Sequence, residues 1–148
     1  MNITEQIKSQ FKERVEIFEK SKKRLYVKVA KENAKEVVHF LFKDLGARMS
    51  IMTAVDIRPG IEILYHMAMD KQGVMVTVKT LAEKPNPEIP TVVDFLPGAE
   101  WIEREIHEMF GVNFAGNPKL ERLLLPDDWP QGVFPLRKKT FESEQEGK

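Results

Sequence analysis

"ARMSIMTAVDIRPGIEILYHMAMDKQGVMVTVKTL", residues 47–81, decides the fold. Met49, Ile51, Thr53, Val55 and Ile57 recur at every second position, followed by Ile61, Ile63, Tyr65, Met67 and Met69, and then by Val74, Val76 and Val78. Successive side chains of a strand point to opposite faces, so a period of two predicts strands with one buried side. Arg58-Pro59-Gly60 and the stretch from Asp70 to Gly73 supply turn residues between the runs. Strands joined by connections this short pair as antiparallel neighbours, because a parallel pair needs a long crossover.

Outward from this meander the period changes. "KENAKEVVHFLFKDLG" (31–46) sets Ala34, Val37, Val38, Leu41 and Leu45 on one helical face, with Gly46 where a left-handed cap belongs. "RLYVKVA" (24–30) alternates Leu25, Val27 and Val29 against Tyr26 and Lys28, a short strand. At the start, Asn2 and Glu5 have capping-box spacing, and Ile7, Phe11, Val15 and Phe18 form the expected buried stripe of a first helix. Downstream, four prolines between Pro85 and Pro97 predict an extended segment with one helical turn at residues 91–95. A third helix is expected from about Gly98 to Phe110.

Helix, strand, helix, three-strand meander and helix read as α+β, a mostly antiparallel sheet with helices packed on one face. A long irregular C-terminal tail follows. The expected organisation is a core over residues 1–111 and an extended tail over 112–148 belonging to the same unit. The tail carries Phe114, Trp129, Phe134, Phe141 and a run of leucines without a sustained period, and its last seven residues are expected to fray. It is too apolar to stay disordered alone, so it should lie against a surface of its own domain or of a partner.

Composition narrows the chemistry. The chain has 148 residues, 23 basic and 23 acidic side chains and no cysteine. Zero net charge argues against a general nucleic-acid binder. Without cysteine the chain can offer neither thiolate zinc sites nor cluster ligands of the usual kind, so a redox centre would belong to another subunit. No apolar run approaches the roughly 20 residues that span a bilayer, and the charged start lacks a signal-like stretch. A soluble chain, cytoplasmic by default, is the expectation. Lysine (16) exceeds arginine (7) and glutamate (17) exceeds aspartate (6), a bias associated with hyperthermophiles.

"EREIHEMFGVNF" (103–114) crowds five ionisable groups into six residues. It is not a zinc-protease motif, because the residue four after His107 is Gly111. Glu36 and His39 have the spacing of half a di-iron motif, but one copy is too little, and His39 reads as surface. Glu100, Glu103 and His107 could face one another, as could any solvated helix flank. Asp127-Asp128 reads as a turn cap. On the helical wheel Ile102, Ile106, Met109 and Phe110 form the buried stripe with Trp101 at its edge, which puts Glu105 in the apolar sector. A partly buried carboxylate needs a cation, so Glu105 is expected to meet Arg122 or Arg137. No catalytic, metal or cofactor-binding set is expected in this chain.

The stretch from Glu100 to Phe141 resembles the signature region of the respiratory complex I subunit-C (30-kilodalton) family. That family includes the matching subunits of energy-converting membrane-bound [NiFe] hydrogenases and sulfane reductases. The matching positions are Glu103-Arg104-Glu105, Glu108-Met109-Phe110-Gly111, Phe114 with Pro118, Leu120 and Arg122, Leu125-Pro126-Asp127-Asp128-Trp129, and Phe134-Pro135-Leu136-Arg137-Lys138. Departures are Glu108 for the usual aspartate, Asn117 for a frequent histidine, and two residues rather than one between Gly132 and Pro135. With the Lys/Glu bias these lean toward an archaeal hydrogenase or sulfane reductase complex over an NADH dehydrogenase.

The resemblance implies a non-catalytic subunit of the peripheral arm of an ion-translocating complex, on the cytoplasmic side of the membrane. It binds no cofactor; iron–sulfur clusters, and nickel–iron in the hydrogenase branch, sit in its partners. Those partners are a hydrogenase-large-subunit-like subunit, which it clasps, a small iron–sulfur subunit and a ferredoxin-like subunit. Phe114, Pro118, Leu123–Leu125, Trp129, Phe134 and Leu136 then act as apolar anchors, and Arg104, Arg122 and Arg137 as carboxylate ligands. Rival readings are a complex I subunit of the NADH/quinone type, a self-contained module whose tail folds on its own sheet, and a metal-dependent enzyme using Glu100, Glu103, His107, Asp127 and Asp128.

Overall fold

The computed structural model describes residues 2–138; the expectation for the last seven residues lies outside the described residues. The order is α1 (Ile3–Phe11), β1 (Val15–Ser21), β2 (Arg24–Val29), α2 (Lys31–His39), β3 (Arg48–Ile57), β4 (Gly60–Met69), β5 (Val74–Glu83), β6 (Glu88–Pro90), α3 (Glu100–Phe110) and β7 (Asn113–Ala115). A five-stranded sheet runs β1-β2-β5-β4-β3, and β6 and β7 form a second, two-stranded sheet. The fold is α+β, as the alternating runs predict. The large sheet is mixed, because β2 pairs with β5 in parallel while β1 and β2 are antiparallel. The chain divides into two compact units, Met1–Thr53 with Ile63–Thr80, and Ala54–Glu62 with Leu81–Lys148.

In the first unit, Asn2 caps α1 by the predicted reciprocal box: Glu5 N–H donates to Asn2 Oδ1 at 2.8 Å, and Asn2 N–H to Glu5 Oε2 at 3.1 Å. The helix stops at Phe11, so Val15 and Phe18 do not extend its stripe. Lys12 takes φ 52 and ψ −122, which no right-handed helix passes through, and the chain turns into β1. There Val15 is buried and Phe18 is 65 % exposed. Ile7 and Phe11 on α1 and Ala34, Val37, Val38 and Leu41 on α2 are buried, together with Val27, Val76, Val78, Ile63, Tyr65 and Met67 from the strands. Each of the larger aliphatic and phenyl side chains among them contributes about 1.5–3 kcal/mol on removal from water. Phe11 meets Phe40 edge-on at 5.4 Å. After α2 a π turn, Phe40–Asp44, leads to Gly46 at φ 71, the predicted left-handed position.

The inward set of β3 is the reverse of the predicted one. Ile51 and Val55 are exposed, whereas Met52 and Asp56 are buried. The strand carries apolar residues in both phases, and a charge decides between them. In the second unit Lys84 Nζ lies 2.6 Å from Asp56 Oδ1, with both side chains at most 2 % exposed. This unit also holds the parallel pair β6–β7, with Ile89 opposite Phe114, and a core of Ile89, Val92, Ala99, Ile106, Val112 and Phe114.

Candidate functional site

The site is built on α3 and on the segment after it. Gly111 ends the helix at φ 78, its N–H donating to the His107 carbonyl at 2.9 Å. A Cβ at this position would lie 2.5 Å from Phe134 Cε2, so glycine serves both the turn and the seating of that ring. Gly111→Ala is therefore expected to destabilise the chain by about 2–3 kcal/mol, from left-handed strain plus displacement of Phe134. Urea unfolding measures this, and an unchanged midpoint would contradict the packing.

The predicted phase of α3 is wrong. Glu105 is exposed and Trp101 is 67 % exposed, while the buried acids are Glu103 and Glu108. Glu103 is fully buried and accepts from the Thr91 hydroxyl, from Val92 N–H at 3.0 Å and from Asn117 Nδ2 at 2.9 Å. It thereby joins the segment before the helix to the turn after β7. Glu108 accepts three main-chain N–H groups in succession: Leu123 at 2.9 Å, Leu124 at 2.9 Å and Leu125 at 3.1 Å. Burial pushes its pKa up, but those donors and the positive charge of Arg122 outweigh it and hold the carboxyl below its usual range.

Arginines complete the brace, and they donate to main-chain carbonyls. Arg104 reaches Glu121 O at 3.1 Å and Arg122 O at 2.7 Å. Arg122 reaches Pro126 O at 2.9 Å and Trp129 O at 2.5 Å. Arg137 donates to Phe110 O at 2.6 Å while its guanidinium lies 5.1 Å from the centre of the Phe134 ring. Trp129 Nε1 donates to Val133 O at 2.8 Å. Lys138 N–H donates to Asp56 Oδ2 at 2.6 Å, linking the end of the segment to the buried ion pair. A cleft lined by residues including His107, Leu120, Leu125, Trp129 and Phe134 remains between helix and segment.

The motif residues thus gather into one region with unequal exposure. Phe114 is buried in the core of its own unit, which removes it from the expected set of partner anchors. Phe110, Leu120, Leu125, Trp129 and Phe134 are half-buried. Pro118, Pro126, Asp127, Asp128, Pro135 and Leu136 are exposed. Sequence reasoning missed Thr91, the amides of Leu123–Leu125 and the Asp56–Lys84 pair. No local signal marked the first two, because the wheel put Glu105 in the apolar sector and left Glu103 and Glu108 outside it. Among the described residues no group of three His, Asp or Glu side chains is placed to hold a metal ion. Glu103 is engaged with Thr91 and Asn117, and His107 Nδ1 lies 2.8 Å from Val112 O. Asp127 and Asp128 are exposed turn residues. Among the described residues no helix is long and apolar enough to cross a membrane.

The α+β fold with an irregular segment braced on α3 has counterparts among known proteins. Residues 27–146 match the family described as respiratory-chain NADH dehydrogenase, 30 Kd subunit, and the chain belongs to that family. It is 34 % identical over 148 residues to the membrane-bound hydrogenase subunit beta of Pyrococcus furiosus, covering 93 % of this chain and 86 % of that one. It is 35 % identical over 129 residues to formate hydrogenlyase subunit 5 of Escherichia coli, covering 84 % of this chain but spanning only 23 % of that protein's length. A chain in the solved structure of the membrane-bound sulfane sulfur reductase, an archaeal respiratory membrane complex, superposes with a TM-score of 0.83 at 28 % identity. That match covers 99 % of this chain and 90 % of the other.

Proposed function

We propose that this chain is a non-catalytic structural subunit in the peripheral arm of a membrane-bound, ion-translocating oxidoreductase complex of the hydrogenase or sulfane reductase type. Its residues 112–138 clasp a hydrogenase-large-subunit-like partner, close to the small iron–sulfur and ferredoxin-like subunits. The redox centres belong to those partners, and the chain reaches the cytoplasmic side of the membrane through them. One observation carries the reading: Arg104 and Glu108 of α3, with Arg122 of the segment, are turned onto the segment's backbone, while Leu124, Val133 and Leu136 are left exposed. A preshaped segment with outward apolar groups loses little entropy on docking and offers anchors of the kind that dominate interfaces. An obligate interface of more than roughly 2,000 Å² is expected.

The test is affinity purification of the tagged chain from its native host in mild detergent. Nickel- and iron–sulfur-containing subunits should accompany it. Leu124→Asp combined with Leu136→Asp should release them while the isolated chain keeps its unfolding midpoint, because both side chains are exposed. A lone chain of 17.1 kDa from a membrane preparation that retains the other subunits would refute the proposal.

A further inference from the structure

The segment is also held at its end, and the group that holds it is a buried charge. Lys138 is exposed, yet its N–H donates to Asp56 Oδ2 at 2.6 Å. The other oxygen, Asp56 Oδ1, lies 2.6 Å from Lys84 Nζ. Backbone packing brings that cation into place. Lys84 N–H donates to Pro59 O at 3.0 Å, and a Cβ on Gly60 would collide with the Ala82 carbonyl, so glycine lets the end of β5 lie close to the turn. On its other side the segment's end is fixed to α3: Leu136 N–H donates to Met109 O at 3.0 Å, and Arg137 Nε to Phe110 O at 2.6 Å. Residues 134–138 therefore run from the last turn of α3 to β3, and they carry Leu136, one of the exposed apolar groups.

The stability of the core does not account for these charges. Both side chains are at most 2 % exposed, and taking two ions out of water costs about as much as their attraction returns. A well-packed apolar pair of similar volume is often as stable or more so. What an apolar pair lacks is an acceptor for the Lys138 N–H, and an ionised carboxylate accepts more strongly than a neutral group. Lys84 supplies the counter-charge that lets a carboxylate stand at a buried position.

We propose that the Asp56–Lys84 pair is a positioning device for the clasp: it fixes the end of the segment, residues 134–138, in the shape that meets the partner subunit. This rests on the clasp proposed above and adds to it the group that sets where its end lies.

Hydrogen exchange of single amides, followed by NMR on the full chain, tests it. Lys138→Pro removes the donor and leaves the buried pair in place. The Leu136 and Arg137 amides should then exchange about tenfold faster, as expected for one lost bond to a charged acceptor, while the Leu123–Leu125 amides keep their rates. Asp56→Leu with Lys84→Met should do the same. Asp56→Asn with Lys84→Met, which keeps an acceptor oxygen, should do so less. Unchanged exchange at Leu136 and Arg137 in Lys138→Pro overturns the proposal. So does equal acceleration at Leu123–Leu125, which would mean that the pair serves the unit as a whole. In affinity purification of the tagged chain, Lys138→Pro should lower partner retention several-fold, and full retention despite faster exchange overturns the link to the clasp. A wild-type chain that retains no partner sinks the clasp and with it the purpose of the device, whereas the exchange rates still report the holding itself.

Discussion

Glu108→Ala is expected to lower the unfolding free energy by about 2–4 kcal/mol, because one carboxylate satisfies three consecutive amides and each bond to a charged group is worth more than a neutral one. The residues it holds are only partly buried, so water recovers part of the loss and keeps the cost below three full bonds. Glu108→Gln, which keeps an acceptor oxygen but loses the charge, should fall between wild type and alanine. Glu105→Ala should change stability by less than about 0.5 kcal/mol, since Glu105 is an exposed side chain. Urea unfolding of the three variants measures this, and equal midpoints for Glu108→Ala and Glu105→Ala would sink the assignment.

The same carboxylate makes a prediction in pH. Its folded pKa lies below the unfolded value, so its contribution is complete above the ordinary carboxylate range. That contribution is lost as pH falls through the depressed folded value. Acid should therefore destabilise the wild type more than Glu108→Gln, narrowing the gap between them.

Lys84→Met should be the more damaging change, costing about 3–5 kcal/mol, because it strands the Asp56 carboxylate in a site where both side chains are at most 2 % exposed. Adding Asp56→Asn should recover a substantial part by removing the uncompensated charge, although the pair's hydrogen bond to Lys138 N–H is weakened. A double-mutant cycle reads the coupling directly. Simple additivity of the two single changes would show that the ions do not stabilise one another.

Legibility in the sequence followed burial chemistry. β4 was plain because Ile61, Ile63, Tyr65, Met67 and Met69 are apolar in one phase, and all are buried. The box at Asn2 and Glu5 and the left-handed Gly46 were plain because each rests on local backbone geometry. α3 was found but rotated, since a wheel assumes that carboxylates seek water. Glu103 and Glu108 instead meet donors that arrive from residues 91–92, 117 and 123–125, contacts that no local window contains. They also lie roughly 140° apart around the helix at 3.6 residues per turn, so no single stripe describes what is covered. β1 was hidden because Phe11, Val15 and Phe18 keep helical spacing across a break that only Lys12's φ reveals. β3 was read in the wrong phase because its deciding residue, Asp56, is drawn inward by Lys84, 28 positions later. The motif as a region was legible, whereas the division of its residues between bracing and display depends on tertiary contacts.

The grip on Leu123–Leu125 touches amides alone, and it therefore imposes no vocabulary at those positions. Any residue with an N–H fits the clamp equally, and proline alone is forbidden. Shape there is inherited from Glu108, and of the three side chains Leu124, which is exposed, is the one that can be rewritten without touching the chain's own packing. Under the proposed clasp, editing that one letter would retune the choice of partner while the fold stays as it is.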